Sequence, residues 1–146
     1  MTTYVSTGLQ RQMLNAGGFK EVMDGSEVRL YAGLRPDSAD ASIGGATLLC
    51  TIKNGSSGIT FDADTTPGVL LKPSGETWQG TNVASGAPSF YRLVKSDDTG
   101  AASTTAARVQ GDVGVVGSDL NISSGALTAG APQSIEYYAV SVLPAA

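Results

Sequence analysis

The residues best equipped for chemistry are aspartates that recur in pairs. Asp37 and Asp40 follow Pro36 in "RPDSADA", Asp62 and Asp64 stand two apart in "FDAD", and Asp97 and Asp98 are adjacent. Carboxylates with neighbouring backbone carbonyls are the ligands that Ca²⁺ takes, and a carboxylate pair also suits general acid–base work. Neither chemistry has its usual companions, since no EF-hand spacing with a closing bidentate Glu occurs. Aspartate is equally a default turn residue, because its side chain accepts hydrogen bonds from nearby backbone amides. Turn carboxylates are therefore the favoured reading, and ion binding by Asp37/Asp40 or Asp62/Asp64 stays open. In "RPDSADA" the expectation is a turn in which Pro36 fixes φ and Asp37 or Ser38 caps backbone groups.

Other chemistries find still less material. The chain has no His, which removes the commonest general base and the commonest metal ligand. Its single cysteine, Cys50, lies in the strand-like "TLLCTIK" and reads as a buried structural thiol. No Gly-x-Ser-x-Gly elbow is present. The glycine-rich "SIGGATLL" and "GDVGVVGSD" have neither the Gly-Lys-Ser/Thr ending of a phosphate loop nor a dinucleotide fingerprint, so they read as turns and bulges. Trp78, Phe90, Tyr91, Tyr137 and Tyr138 offer rings for stacking on sugars, but aromatics are only 6% of the chain and a core needs most of them. A carbohydrate- or receptor-binding module would need Trp78, or a pair among Tyr31, Tyr91 and Tyr138, exposed on one face. No catalytic, cofactor-binding or metal-binding residue is assigned, and a non-enzymatic protein is expected.

The elements that must position these residues are mostly strands. Ser6 and Thr7 can cap a helix carrying Leu9, Met13 and Leu14, which Gly17-Gly18 ends, and a short helix over about 19–23 follows. In "EVRLYAG", Val28, Leu30 and Ala32 alternate with Glu27, Arg29 and Tyr31, the period of a half-buried strand. Further strands are predicted at 47–53, 58–62, 68–71, 77–85, 89–96, 119–122 and 133–143, with weaker ones near 108–116 and 126–128. In the last, Tyr138, Val140 and Val142 share a face and Ala139 and Leu143 the other, as in a central strand. Residues 99–118, rich in Ala, Thr, Ser and Gly, read as a long loop. Frequent turn signals between short strands point to a mainly β fold, a jelly-roll-like antiparallel β-sandwich with a short N-terminal helix. A single domain over 1–146, with a helical segment over 1–25, is the expected organisation.

Composition narrows the partners. The 146 residues carry 41% apolar and 15% charged side chains, a balance suited to a folded globular chain. Net charge is −4 and the basic residues are scattered, so neither nucleic acid nor membrane is an expected partner. The opening "MTTYVSTGLQRQML" lacks a basic start and a continuous apolar run, so the chain is expected to be made and kept in a cytoplasm, or assembled there into something larger.

The order of features resembles a family of small virion proteins of tailed bacteriophages and their prophages. The resemblance is carried by "STGLQRQMLNAGGFKEVMDG" leading into "VRLYAGLRPDSADASIGGATLLCTI", by "TWQGTNVASGAPSFYRLV", and by "RVQGDVGVVGSDLNISSGALTAGAPQSIEYYAVSVLPAA". It implies a virion structural component that forms a homo-oligomer and binds other virion proteins. Capsid decoration through the major capsid protein is the favoured role, with a head-to-tail connector or tail component close behind. It supplies no catalytic residues. The N-terminal helix, the loop around 99–119 and the "VLPAA" tail are the segments expected to make contacts.

Overall fold

The alternating segments of the sequence become the central strands. Val28 and Leu30 of β2 (Glu27–Ala32) turn into the core opposite Ile52 and Cys50 of β3 (Thr47–Asn54), and Leu30 also lies opposite Tyr91 of β7 (Phe90–Val94). The computed structural model describes residues 4–63 and 68–141. The protein is mainly β, a β-sandwich with a large antiparallel sheet and short helices near the N terminus.

The large sheet runs β1-β8-β7-β2-β3-β6-β10. Its remaining members are β1 (Tyr4–Val5), β6 (Trp78–Thr81), β8 (Arg108–Gly114) and β10 (Pro132–Ile135), with β9 (Leu120–Asn121) lying parallel beside the end of β8. The small sheet is β11-β5-β4, from β4 (Asp62–Ala63), β5 (Val69–Leu71) and β11 (Ala139–Ser141). Leu70 and Val140 of the small sheet pack on the core, where Phe61 meets Trp78 edge-on at 5.7 Å and Phe19 at 5.5 Å.

Helix α1 (Thr7–Asn15) starts as expected, with the Ser6 hydroxyl accepting from the Leu9 amide, and stops just before Gly17-Gly18; α2 (Phe19–Met23) follows. Only part of the expected apolar stripe is buried. Leu9 is in the core, while Leu14 points into solvent.

Three expectations change. Residues 99–118 are not one loop: the weaker strand expected near 108–116 forms as β8, Arg108–Gly114, whose residues Arg108–Asp112 pair with β7. Val109 and Val113 face the core, and the alternate Arg108 and Gln110 are buried on the opposite face rather than turned to solvent. The same cover makes β2 buried on both faces where a half-buried strand was predicted. Finally, 133–143 is not one strand: β10 pairs with β6 in the large sheet, and the chain then crosses to pair β11 with β5 in the small one. Tyr138 enters the core at the crossing, its hydroxyl 2.9 Å from that of Tyr91, whereas Ala139 is exposed on an edge strand. Val142 and Leu143 lie outside the described residues, as does the "VLPAA" tail.

Candidate functional site

The "RPDSADA" segment is a strap over the outer face of the large sheet, held by its backbone. Arg92 on β7 and Arg108 and Gln110 on β8 all point to this face, since Arg92 lies opposite Gln110 in the ladder. Arg92 donates through Nη2 to the Ala41 carbonyl at 2.7 Å and through Nε to Gln110 Oε1 at 2.9 Å. Gln110 in turn donates to the Pro36 carbonyl at 2.9 Å, and Arg108 Nη1 to the Ala39 carbonyl at 3.0 Å. Five donors in a fixed planar fork suit arginine to several carbonyls at once.

Asp98 supplies the counter-charge. Its carboxylate accepts from Arg108 Nε at 2.6 Å and Nη2 at 3.0 Å, and from the Gly100 amide at 2.7 Å. Burial opposes ionisation of Asp98, but the hydrogen bonds from Arg108 and Gly100 outweigh it and hold the carboxyl below its ordinary range. Burial, with Arg108 alongside, pulls Arg92 down to about 10, which leaves it charged at neutral pH. Arg29 extends the layer, donating to the Asp98 and Ser96 carbonyls and to Glu27.

The described aspartates expected at a site do not converge on one. The capping role assigned to Asp37 or Ser38 falls to Asp40, which accepts from the Thr7 amide at 2.7 Å and from the Thr7 hydroxyl, tying the strap to the start of α1. Asp37 is exposed beside a cleft of about 470 Å³ between the two ends of the strap, walled by Leu34, Pro36, Ile43 and Ala46. Asp62 is exposed on β4, and Asp64 lies outside the described residues. Asp98 is committed to Arg108. Among the described residues, no group of three or more His, Cys, Asp or Glu side chains is placed to hold a metal ion. Sequence reading missed Arg92, Arg108 and Gln110; the alternation of "FYRLV" with "RVQGDV" was the signal that puts them on one face.

The remaining candidates are structural. Cys50 is buried, and burial pushes its thiol up to about 11, so it is a neutral packing group at physiological pH. Trp78, Tyr31, Tyr91 and Tyr138 are all buried, which removes the stacking face that a sugar-binding module required of them. Tyr137 alone of the six aromatics considered for such a face is strongly exposed. No helix among the described residues is long and apolar enough to cross a membrane.

Large apolar side chains do emerge at one end of the sandwich. β2 ends there at Ala32, β3 and β7 begin there, and the turn between β8 and β9 closes it. Leu34 is 91% exposed, Val83 69%, Val115 55% and Val116 85%. Their loops are tied together: Ser89 Oγ donates to the Gly33 carbonyl at 2.5 Å, the Val83 amide to the Leu49 carbonyl at 2.8 Å, and Gly86 and Leu127 exchange backbone bonds. No protein family model, curated protein or solved structure matches the chain.

Proposed function

We propose that the chain is a non-enzymatic structural protein of a tailed-bacteriophage particle, and that it decorates or cements the capsid by binding other virion proteins. The setting comes from the sequence resemblance. The observation that carries the binding role is the apolar end formed by Leu34, Val83, Val115 and Val116 on hydrogen-bonded loops. Large apolar side chains left exposed at one end of a fold are a feature of protein contact surfaces, and loops ordered beforehand lose little entropy on docking. The strap supports the same reading, because Arg92 and Arg108 spend their donors on backbone carbonyls that fix loop shape. A connector or tail component would make the same contacts in fewer copies.

Add-back to particles assembled without the protein tests the proposal. Purified protein is expected to bind such particles saturably and to raise the temperature at which their shells open. Absence of binding to shells, necks and tails alike overturns the reading.

A further inference from the structure

The turn after β3 carries a nucleophile, an electrophile and a hydrogen-bond donor side by side. Asn54 ends β3 and precedes Gly55, the one Asn-Gly pair in the chain. Asn54 and Ser57 exchange backbone hydrogen bonds at 3.1 and 3.0 Å, which closes a two-residue turn over Gly55 and Ser56. Gly55 has φ +63°, and no described residue other than glycine has positive φ, so the turn is of type II′. Gly55, Ser56 and Ser57 are exposed, and a Cβ on Gly55 would meet nothing within 4 Å. Among the described residues nothing accepts from the Gly55 amide or from Asn54 Nδ2.

The Gly55 amide nitrogen is therefore open to solvent, one peptide unit from the Asn54 carboxamide. Asn54 Oδ1 accepts from the Thr77 amide at 3.3 Å. That donor polarises Cγ and faces the oxygen on which charge builds when a nucleophile adds. Ring closure between neighbours in the chain is intramolecular and gains from proximity, and glycine has no side chain to obstruct its nitrogen. We propose that Asn54 deamidates spontaneously through a cyclic imide with Gly55, which makes this turn a modification site. The proposal is independent of the virion role.

The step balances without an oxidant or reductant. Hydroxide takes the Gly55 amide proton, and the nitrogen attacks Asn54 Cγ. The Cγ–Nδ2 bond breaks as Nδ2 takes a proton from water and leaves as ammonia. Water then opens the five-membered imide: cleavage at Cγ leaves aspartate, and cleavage at the backbone carbonyl leaves isoaspartate. Isoaspartate adds a carbon to the main chain at the point where Asn54 pairs with Trp78 of β6. The other asparagines lack this arrangement. Asn15, Asn82 and Asn121 precede Ala16, Val83 and Ile122, whose side chains crowd the attacking nitrogen, the last two most because they branch at Cβ. Asn82 is also buried, and its Nδ2 donates to the Thr128 carbonyl at 3.1 Å.

Peptide mapping of the native chain held at pH 8, with ammonia release followed in parallel, tests the proposal. Asn54 is expected to convert about tenfold or more faster than Asn15, Asn82 or Asn121, with isoaspartate in excess of aspartate, and to convert more slowly at pH 6. Asn54→Gln keeps an amide but needs a six-membered ring, so it should retain the wild-type melting temperature and release ammonia about tenfold or more slowly. An intact Asn54 in the native chain, under conditions where the urea-unfolded chain converts, overturns the proposal, because the turn would then hold the reacting atoms apart. Equal ammonia release from wild type and Asn54→Gln, or faster conversion at another asparagine, also overturns it.

Discussion

Replacing Asp98 by asparagine removes the negative charge that faces Arg108 beneath the loops of the outer layer. The two side chains are 3% and 2% exposed, so water cannot take over the lost interaction. Removing one member of a buried ion pair costs about 3–5 kcal/mol. The asparagine oxygen still accepts one hydrogen bond, worth about 1 kcal/mol, which lowers the expected loss to about 2–4 kcal/mol. For a chain of this size each kcal/mol lowers Tm by about 2–4 °C, so a fall of roughly 5–15 °C is expected. Urea unfolding followed by the fluorescence of Trp78, the single tryptophan, should show a lower midpoint with an unchanged slope. Arg35→Gln is the control, because Arg35 and Asp112 are about one-third exposed and their pair should contribute about 1 kcal/mol or less. Equal losses in the two variants would refute the idea that a buried charge pair holds the strap.

Three further outcomes follow from the same structure. Burial opposes ionisation of both Asp98 and Glu76, but Arg108 and the Gly100 amide at the first, and Thr60 and Trp78 at the second, hold them below their ordinary values. Their stabilisation is complete above the unfolded carboxylate range near ~4 and is lost as pH falls through the folded values, so Tm should drop on acidification below about pH 4 and drop less steeply in Asp98→Asn. An equal acid slope in wild type and variant would contradict this. Cys50 should resist a thiol reagent at pH 8 in the folded protein and react once per chain after unfolding, whereas fast labelling of the native state would show that its strand is open. Gly80→Ala should cost about 1–3 kcal/mol by urea midpoint, because a Cβ there overlaps the Thr51 carbonyl oxygen and pushes β6 off β3. Gly75→Ala, whose Cβ meets nothing within 4 Å, should be nearly neutral.

What the sequence revealed depended on where solvent lies. β3 and the two helices were legible because an apolar period, a Ser6 cap and a glycine pair mark them. β8 showed only as a weak strand inside a supposed loop, since both of its faces are covered and its buried outer positions are Arg108 and Gln110, residues normally found outside. The break at Glu136–Tyr138 was hidden by continuous strand propensity in "QSIEYYAVSVL"; only the need of each sheet for a partner strand divides it. Asp40 was legible as a turn carboxylate, but its partner, Thr7, is 33 residues away and no local pattern announces it. Leu34, Val83, Val115 and Val116 are scattered in sequence, and strand register alone brings them to one end.

Copy number in the particle tests the central claim most directly. Quantitative mass spectrometry of purified virions, scaled to the major capsid protein, is expected to find this chain in shells at a ratio near that of the capsid subunits. A count matching one or two rings would move it to the neck or tail and contradict the decoration role. Absence from the particle would contradict the structural role itself.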